Sequence, residues 1–209
     1  MPNLRAQVLE TLRDAYPENF EGLVPSKTLG ENVFSGPKPH PNAVLNLFVQ
    51  QNVTSALPMA YYMAARRGLD SLMDVRLQSG ATLSGQTLKS AIRGLMVLRE
   101  MELKEMHQII FTSKDTASFQ GCSSKDCPSW GPKRLSGGGT IRTHRLAFDR
   151  IMGSMAGGTR ILQVLSADDI TGDGEPKFCQ NCRERMEVAH ADVRKKAWAE
   201  LPRMFGLKA

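Results

Sequence analysis

Long apolar runs and cysteines are both scarce in this chain. No stretch of 18 apolar residues occurs among the 209, so no segment has the length of a membrane-crossing helix. The opening residues, Met1 to Asp14, place Arg5, Glu10, Arg13 and Asp14 where a secretory leader needs uninterrupted apolar sequence. A cytoplasmic or nuclear protein with no membrane attachment is therefore expected. Four cysteines are too few for the eight ligands of a RING-type ubiquitin ligase or the six cysteines of a binuclear zinc cluster, and thiols in a reducing compartment do not pair permanently. No internal repeat is visible either.

The signatures of catalysis are equally thin. Gly137 to Thr140 lacks the lysine that follows in a phosphate loop, and Gly153-Ser154-Met155-Ala156-Gly157 sets its serine one place early for a nucleophile elbow. Asp168, Asp169 and Asp173 have no closing glutamate at calcium-loop spacing. His107, His144 and His190 have no nucleophile at a diagnostic distance, and His190 falls on the apolar face of its helix. These histidines are read as structural, and the chain as no enzyme.

What is present is a chain with enough apolar residues, 41% hydrophobic against 23% charged, to bury a core of about one large domain. Helical spacing dominates. Leu4, Val8, Leu9 and Leu12 recur over Asn3 to Tyr16, and Pro17 ends that helix. Seven Gly and Pro residues between Gly22 and Pro41 predict a surface loop. Pro41 then opens a helix to about Gln51, and Thr54 is placed as the N-cap of a second helix that stops at Gly68. These two form a helical hairpin joined at Asn52 and Val53.

Ser84 begins the longest periodic stretch, a spine with Leu88, Ile92, Leu95, Met96, Leu103, Met106 and Ile110 on one face. Residues 112 to 140 turn to Ser, Gly, Pro and Lys. Order there must come from something other than burial. A helix over Ile141 to Met152 and an apolar piece from Ile161 to Leu165 follow. A last helix is predicted from near Cys182 to Glu200, with Met186, Ala189, His190, Val193 and Ala197 on one face and Pro202 breaking it. The expected organisation is an N-terminal helix (1–21), a linker loop (22–40), a helical core (41–112) and a stapled lobe with the C-terminal helix (113–209).

The staple is the cysteine constellation. Cys122-x4-Cys127 and Cys179-x2-Cys182 have the loop spacings that bring two thiolates of one turn onto a shared tetrahedral zinc. Gly121, Pro128 and Asn181 supply turn residues around both pairs, which small buried hydrophobes would not need. The second pair sits at a helix start, where amides and dipole favour the negative charge of a tetrathiolate site, and Lys125, Lys177 and Arg183 add to that. Four thiolates leave no open position for water, so the zinc is expected to be structural. The fold class that results is mainly α, an irregular helical domain with a loop-rich lobe stapled by one Zn2+.

The formal net charge of +6 is uneven. Residues 1 to 35 hold five acids against three bases, whereas 125 to 160 hold seven bases against two acids. Loading zinc on four thiolates would lower the charge to about +4. Arg183, Arg185, Arg194, Lys195 and Lys196 alternate with Glu184, Glu187 and Asp192 as on a solvated helix face, a pattern offering only non-specific attraction to nucleic acid. Trp198, Leu201, Phe205 and Leu207 either close the core or present a docking patch.

The ending Trp198-Ala199-Glu200-Leu201-Pro202-Arg203-Met204-Phe205-Gly206-Leu207 after Cys179-x2-Cys182, preceded by Asp14-Ala15-Tyr16-Pro17, Leu57-Pro58-Met59-Ala60-Tyr61-Tyr62 and the Cys122/Cys127 pair, resembles the region downstream of the BTB fold in BTB/POZ-domain proteins of mushroom-type fungi. The resemblance implies an accessory helical, zinc-binding extension. The strand-helix BTB core has no counterpart in these residues, so its dimerisation and cullin-adaptor roles are not carried over, and a truncated product or stand-alone paralogue is expected. The functional expectation is a non-catalytic, intracellular protein-interaction or adaptor module with protein partners. The alternative is a basic, zinc-containing nucleic-acid-binding domain.

Overall fold

The computed structural model describes residues 4–23, 39–74, 81–111, 158–159, 161–162 and 179–207. These residues are mainly helical, with no strand among them. Seven helices are described: α1 (Leu4–Ala15), α2 (Phe20–Leu23), α3 (Pro41–Gln50), α4 (Leu57–Ala65), α5 (Leu69–Met73), α6 (Gly85–Phe111) and α7 (Gln180–Met204). The expected helix over 141–152, the 112–140 loop, and Cys122 and Cys127 lie outside the described residues. No helix among the described residues is long and apolar enough to cross a membrane.

The hairpin of α3 and α4 forms as its sequence dictates. Pro41 occupies the start of α3 behind an N-cap at His40, whose Nδ1 accepts from the Asn42 amide at 3.3 Å. The helix ends in a Schellman pattern, with the Val53 amide on the Phe48 carbonyl (3.0 Å) and the Asn52 amide on that of Val49 (3.2 Å). Asn52 takes the left-handed conformation this requires, at φ 53°, which asparagine tolerates better than most residues. That reversal displaces the next helix start, so the N-cap of α4 is Ala56, with no side-chain cap, and not Thr54.

Helix α4 is the hub. It packs against α3, α5, α6 and α7 and is apolar on nearly every side, with Met59, Ala60, Tyr61, Tyr62, Ala64 and Ala65 all buried. A helix that is apolar all round has to sit inside. Phe48, Leu45, Tyr62 and Phe205 are fully buried in the surrounding core, each worth roughly 1.5–3 kcal/mol relative to exposure. Gly68, at φ 87°, ends α4 as expected and turns the chain into the short α5, whose Leu72 anchors it to the core.

Helix α6 is the expected spine, but its buried stripe runs through Thr87, Ala91, Leu95, Leu98, Glu102 and Glu105. Met96, expected on that face, is 67% exposed, and Leu88 and Ile92 pack only at its edge. Gly94 explains the rotation. A Cβ there would lie 2.0 Å from the Phe205 ring, so the bare backbone of α6 faces the C-terminal anchor and Met96 turns outward.

Helix α7 continues through Pro202, the expected breaker, to Met204, past the expected end at Glu200. Proline removes one backbone bond, yet the last turn holds because Leu201, Met204 and Phe205 are all buried. A second Schellman cap closes it, with the Leu207 amide on the Pro202 carbonyl at 2.8 Å and Gly206 at φ 71°.

Candidate functional site

Three places carry polar or docking chemistry, two of them singled out by the sequence. The first is the start of α7. Cys179 is its N-cap residue, half-buried and in extended backbone (φ −63°, ψ 157°), and Cys182 follows in the first helical turn. The cysteine pair thus straddles a helix N-terminus, where amides not bonded within the helix and the dipole favour negative charge. The Cys182 and Arg183 side chains, Lys177, Cys122 and Cys127 lie outside the described set. Among the described residues no group of three or more His, Cys, Asp and Glu side chains gathers to hold a metal.

The second is the C-terminal segment. Leu201 and Phe205 are completely buried and close the core: the Phe205 ring stacks on Tyr61 at 5.0 Å between centroids, 21° from parallel, over the bare Gly94. Trp198 and Leu207 are half-buried and line a surface cleft of about 360 Å³ together with Pro17, Glu18, Pro58 and Pro202. The four residues named together by the sequence therefore divide into two core anchors and two cleft-lining side chains.

The same cleft is bounded by the start of α4. Ser55 Oγ donates to Glu18 Oε1 at 2.6 Å, which sets a carboxylate beside a helix start that has no side-chain cap. Arg13 approaches the same oxygen at 3.8 Å with both side chains well exposed, a pairing of little energetic weight. Phe20 of α2 leans on Trp198, with centroids 6.3 Å apart. A second, more apolar groove of about 390 Å³ runs between α1 and α3, lined by Val8, Leu12, Ala43, Val44 and Leu47.

The third place was not anticipated from sequence. A buried polar cluster lies where α4, α6 and α7 meet Thr159 and Leu162. Thr159 Oγ1 donates to Glu102 Oε2 at 2.9 Å, the Leu162 amide donates to Tyr62 Oη at 3.3 Å, and Arg194 Nε donates to the Leu162 carbonyl at 3.0 Å. Arg194 also lies over the Phe20 ring, 5.6 Å from its centroid. Its Nη2 is buried with no hydrogen-bond partner, so burial lowers its pKa while the nearby Tyr62 opposes that shift.

One turn earlier on α7, His190 is only 3% exposed. Burial, with Arg194 adding to it, pushes this imidazole down to about 4. It is neutral at physiological pH and belongs to the core, where the apolar-face reading had set it. Burial likewise raises the Tyr62 hydroxyl well above the usual phenol range. Lys196 Nζ bonds Glu105 Oε1 at 2.5 Å, with that carboxylate largely buried.

The basic residues of α7 are thus not one solvated face. Arg194 is buried, because the α7 stripe through His190, Val193, Ala197 and Leu201 turns it inward beside Val193, and Lys196 is engaged by α6. Glu102 and Glu105 extend the stripe of Leu95 and Leu98 at three- and four-residue spacing. That spacing was the available signal, and their charge hid it. No family model, curated protein or solved structure matches this chain.

Proposed function

We propose that this chain is a non-catalytic, intracellular protein-interaction or adaptor module, cytoplasmic or nuclear, with one structural zinc held by Cys122, Cys127, Cys179 and Cys182. We further propose kinship with the region downstream of the BTB fold in fungal BTB/POZ proteins, on the strength of the sequence motifs alone. The observation that carries the metal reading is the Cys179/Cys182 pair at the start of α7, a position suited to the negative charge of a tetrathiolate centre. The docking reading draws on the cleft beside Trp198 and Leu207, a concave, mainly apolar surface with a few polar groups at its edge.

The alternative, a basic nucleic-acid-binding domain, draws on the seven bases within 125–160. It is weakened on α7, where Arg194 is buried and Lys196 is bonded to Glu105, leaving fewer cations for phosphates. The test is retention of binding partners by the full chain and by a Leu207→Asp variant, at low and at high salt. A protein partner held through high salt and lost with Leu207→Asp is the expected result. Nucleic acid released by salt and unaffected by the substitution would replace this reading with the alternative.

A further inference from the structure

The cleft beside Trp198 and Leu207 sets an aromatic side chain and a carboxylate on one concave surface. Its volume of about 360 Å³ is at the small end for ligand sites, the scale of one long side chain with a little flanking backbone. Pro17, Pro58 and Pro202 form part of its walls and bring no amide N–H to a ligand. At its edge Glu18, whose side chain is 44% exposed, accepts from the Ser55 hydroxyl at 2.6 Å. The uncapped start of α4 favours an anion at this place, and Glu18 already supplies it. A group entering between Glu18 and the indole of Trp198 is therefore matched best by a hydrogen-bond donor that carries positive charge.

Two of the chain's own guanidinium groups bear on the choice. Arg13 comes within 3.8 Å of the Glu18 carboxylate with its side chain 54% exposed, an ion pair weak enough to exchange for a better one. Arg194, one turn before Trp198 on α7, is buried and bonded to the Leu162 carbonyl at 3.0 Å, so it is engaged in the core instead of at Glu18. We infer that the cleft takes an arginine side chain of a protein partner, with its guanidinium between the Glu18 carboxylate and the Trp198 indole and its aliphatic stem against Leu207 and the prolines. A planar guanidinium forks onto a carboxylate, stacks on an aromatic ring and sheds water more readily than an ammonium, which selects arginine over lysine. Its stem adds apolar contact that salt does not screen. This assignment rests on the docking reading of the same cleft and does not involve the metal.

Titration of the full chain with a blocked Gly-Leu-Arg-Leu-Gly peptide, followed at the Trp198 indole N–H resonance of isotope-labelled protein, tests the assignment. The chain has two tryptophans, and Trp198→Phe identifies the signal. The arginine peptide should bind saturably and about tenfold more tightly than its citrulline counterpart, which keeps the shape and loses the charge. The lysine peptide should fall between them. Glu18→Gln keeps an oxygen for Ser55 and removes only charge, and should weaken the arginine peptide by about threefold, whereas Arg13→Ala removes the internal competitor and should strengthen it by about twofold. No shift at Trp198, equal binding of the arginine and citrulline peptides, or an unchanged affinity in Glu18→Gln overturns the proposal. Partner retention with Leu207→Asp uses no such probe. A partner lost in that variant while the two peptides bind alike would leave the docking reading standing and remove arginine as its anchor.

Discussion

Tyr61 and Tyr62 are neighbours on α4 and look into two different interiors. Tyr61 lays its ring in an apolar joint, stacked on Phe205 above the bare backbone of Gly94, while its hydroxyl bonds to Thr87 and Ser90. Tyr62 faces a polar one, where its hydroxyl, Glu102, Thr159, His190 and Arg194 are all buried. The first joint is stabilised by shape and by area removed from water, terms that tolerate no cavity and no extra carbon. The second depends on its polar groups finding partners, and the one left unmatched, Arg194 Nη2, carries a desolvation cost. One helix thus anchors the C-terminal segment through packing and Leu162 through a hydrogen bond.

The apolar joint should be the more costly to break. Phe205→Ala empties the site over Gly94 and should cost about 3–5 kcal/mol, whereas Gly94→Ala drives a methyl into the same ring and should cost about 1–3 kcal/mol. Urea unfolding of both variants measures this, and a loss below that of a surface substitution would show that Phe205 does not hold the end of α7.

The polar joint should be distinguished by acid. His190 has its pKa lowered from 6.5 to about 4 by burial and by Arg194. In the unfolded chain it takes up a proton as pH falls below about 6.5, while in the folded chain it resists until about 4. Its contribution is therefore fully present above the unfolded value and is lost between those two pH values, amounting to about 3 kcal/mol. Stability measured from about pH 7 down to about pH 4 should fall less steeply in His190→Gln. Identical slopes would mean that His190 titrates freely in the folded protein.

Tyr62→Phe isolates a single hydrogen bond. It strands the buried Leu162 amide and should cost about 1–2 kcal/mol, with the Phe205 joint unchanged in near-ultraviolet circular dichroism. The smallest effect is expected at Met96, which faces water. Met96→Lys should shift stability by about 0.5 kcal/mol or less, and a loss comparable to that of a core residue would restore the sequence-derived face of α6.

Much of the helical frame is legible from sequence because its signals are local. Pro41 and Asn52 mark the ends of α3, and Ser84 marks the start of α6, its carbonyl accepting from the Leu88 amide at 2.7 Å. His190 was assigned to an apolar face by spacing alone. What escaped depends on contacts distant in sequence: Met96 turns outward because Phe205 fills the space at Gly94, Pro202 is tolerated because Leu201 and Phe205 are anchored, and Arg194 is buried because Leu162 and Phe20 receive it. The Cys179 and Cys182 spacing coincides with the start of α7, which was expected near Cys182 and lies at Gln180. The partnership with Cys122 and Cys127 rests on spacing and zinc chemistry.

The central claim, one structural zinc in a non-catalytic module, is tested most directly by the metal content of protein purified without added zinc. Mass spectrometry under native and denaturing conditions should find one zinc per chain, and a Cys179→Ser variant should lose it and loosen around the start of α7. A metal-free chain that is stably folded would contradict the claim and return the four cysteines to the core or to redox chemistry.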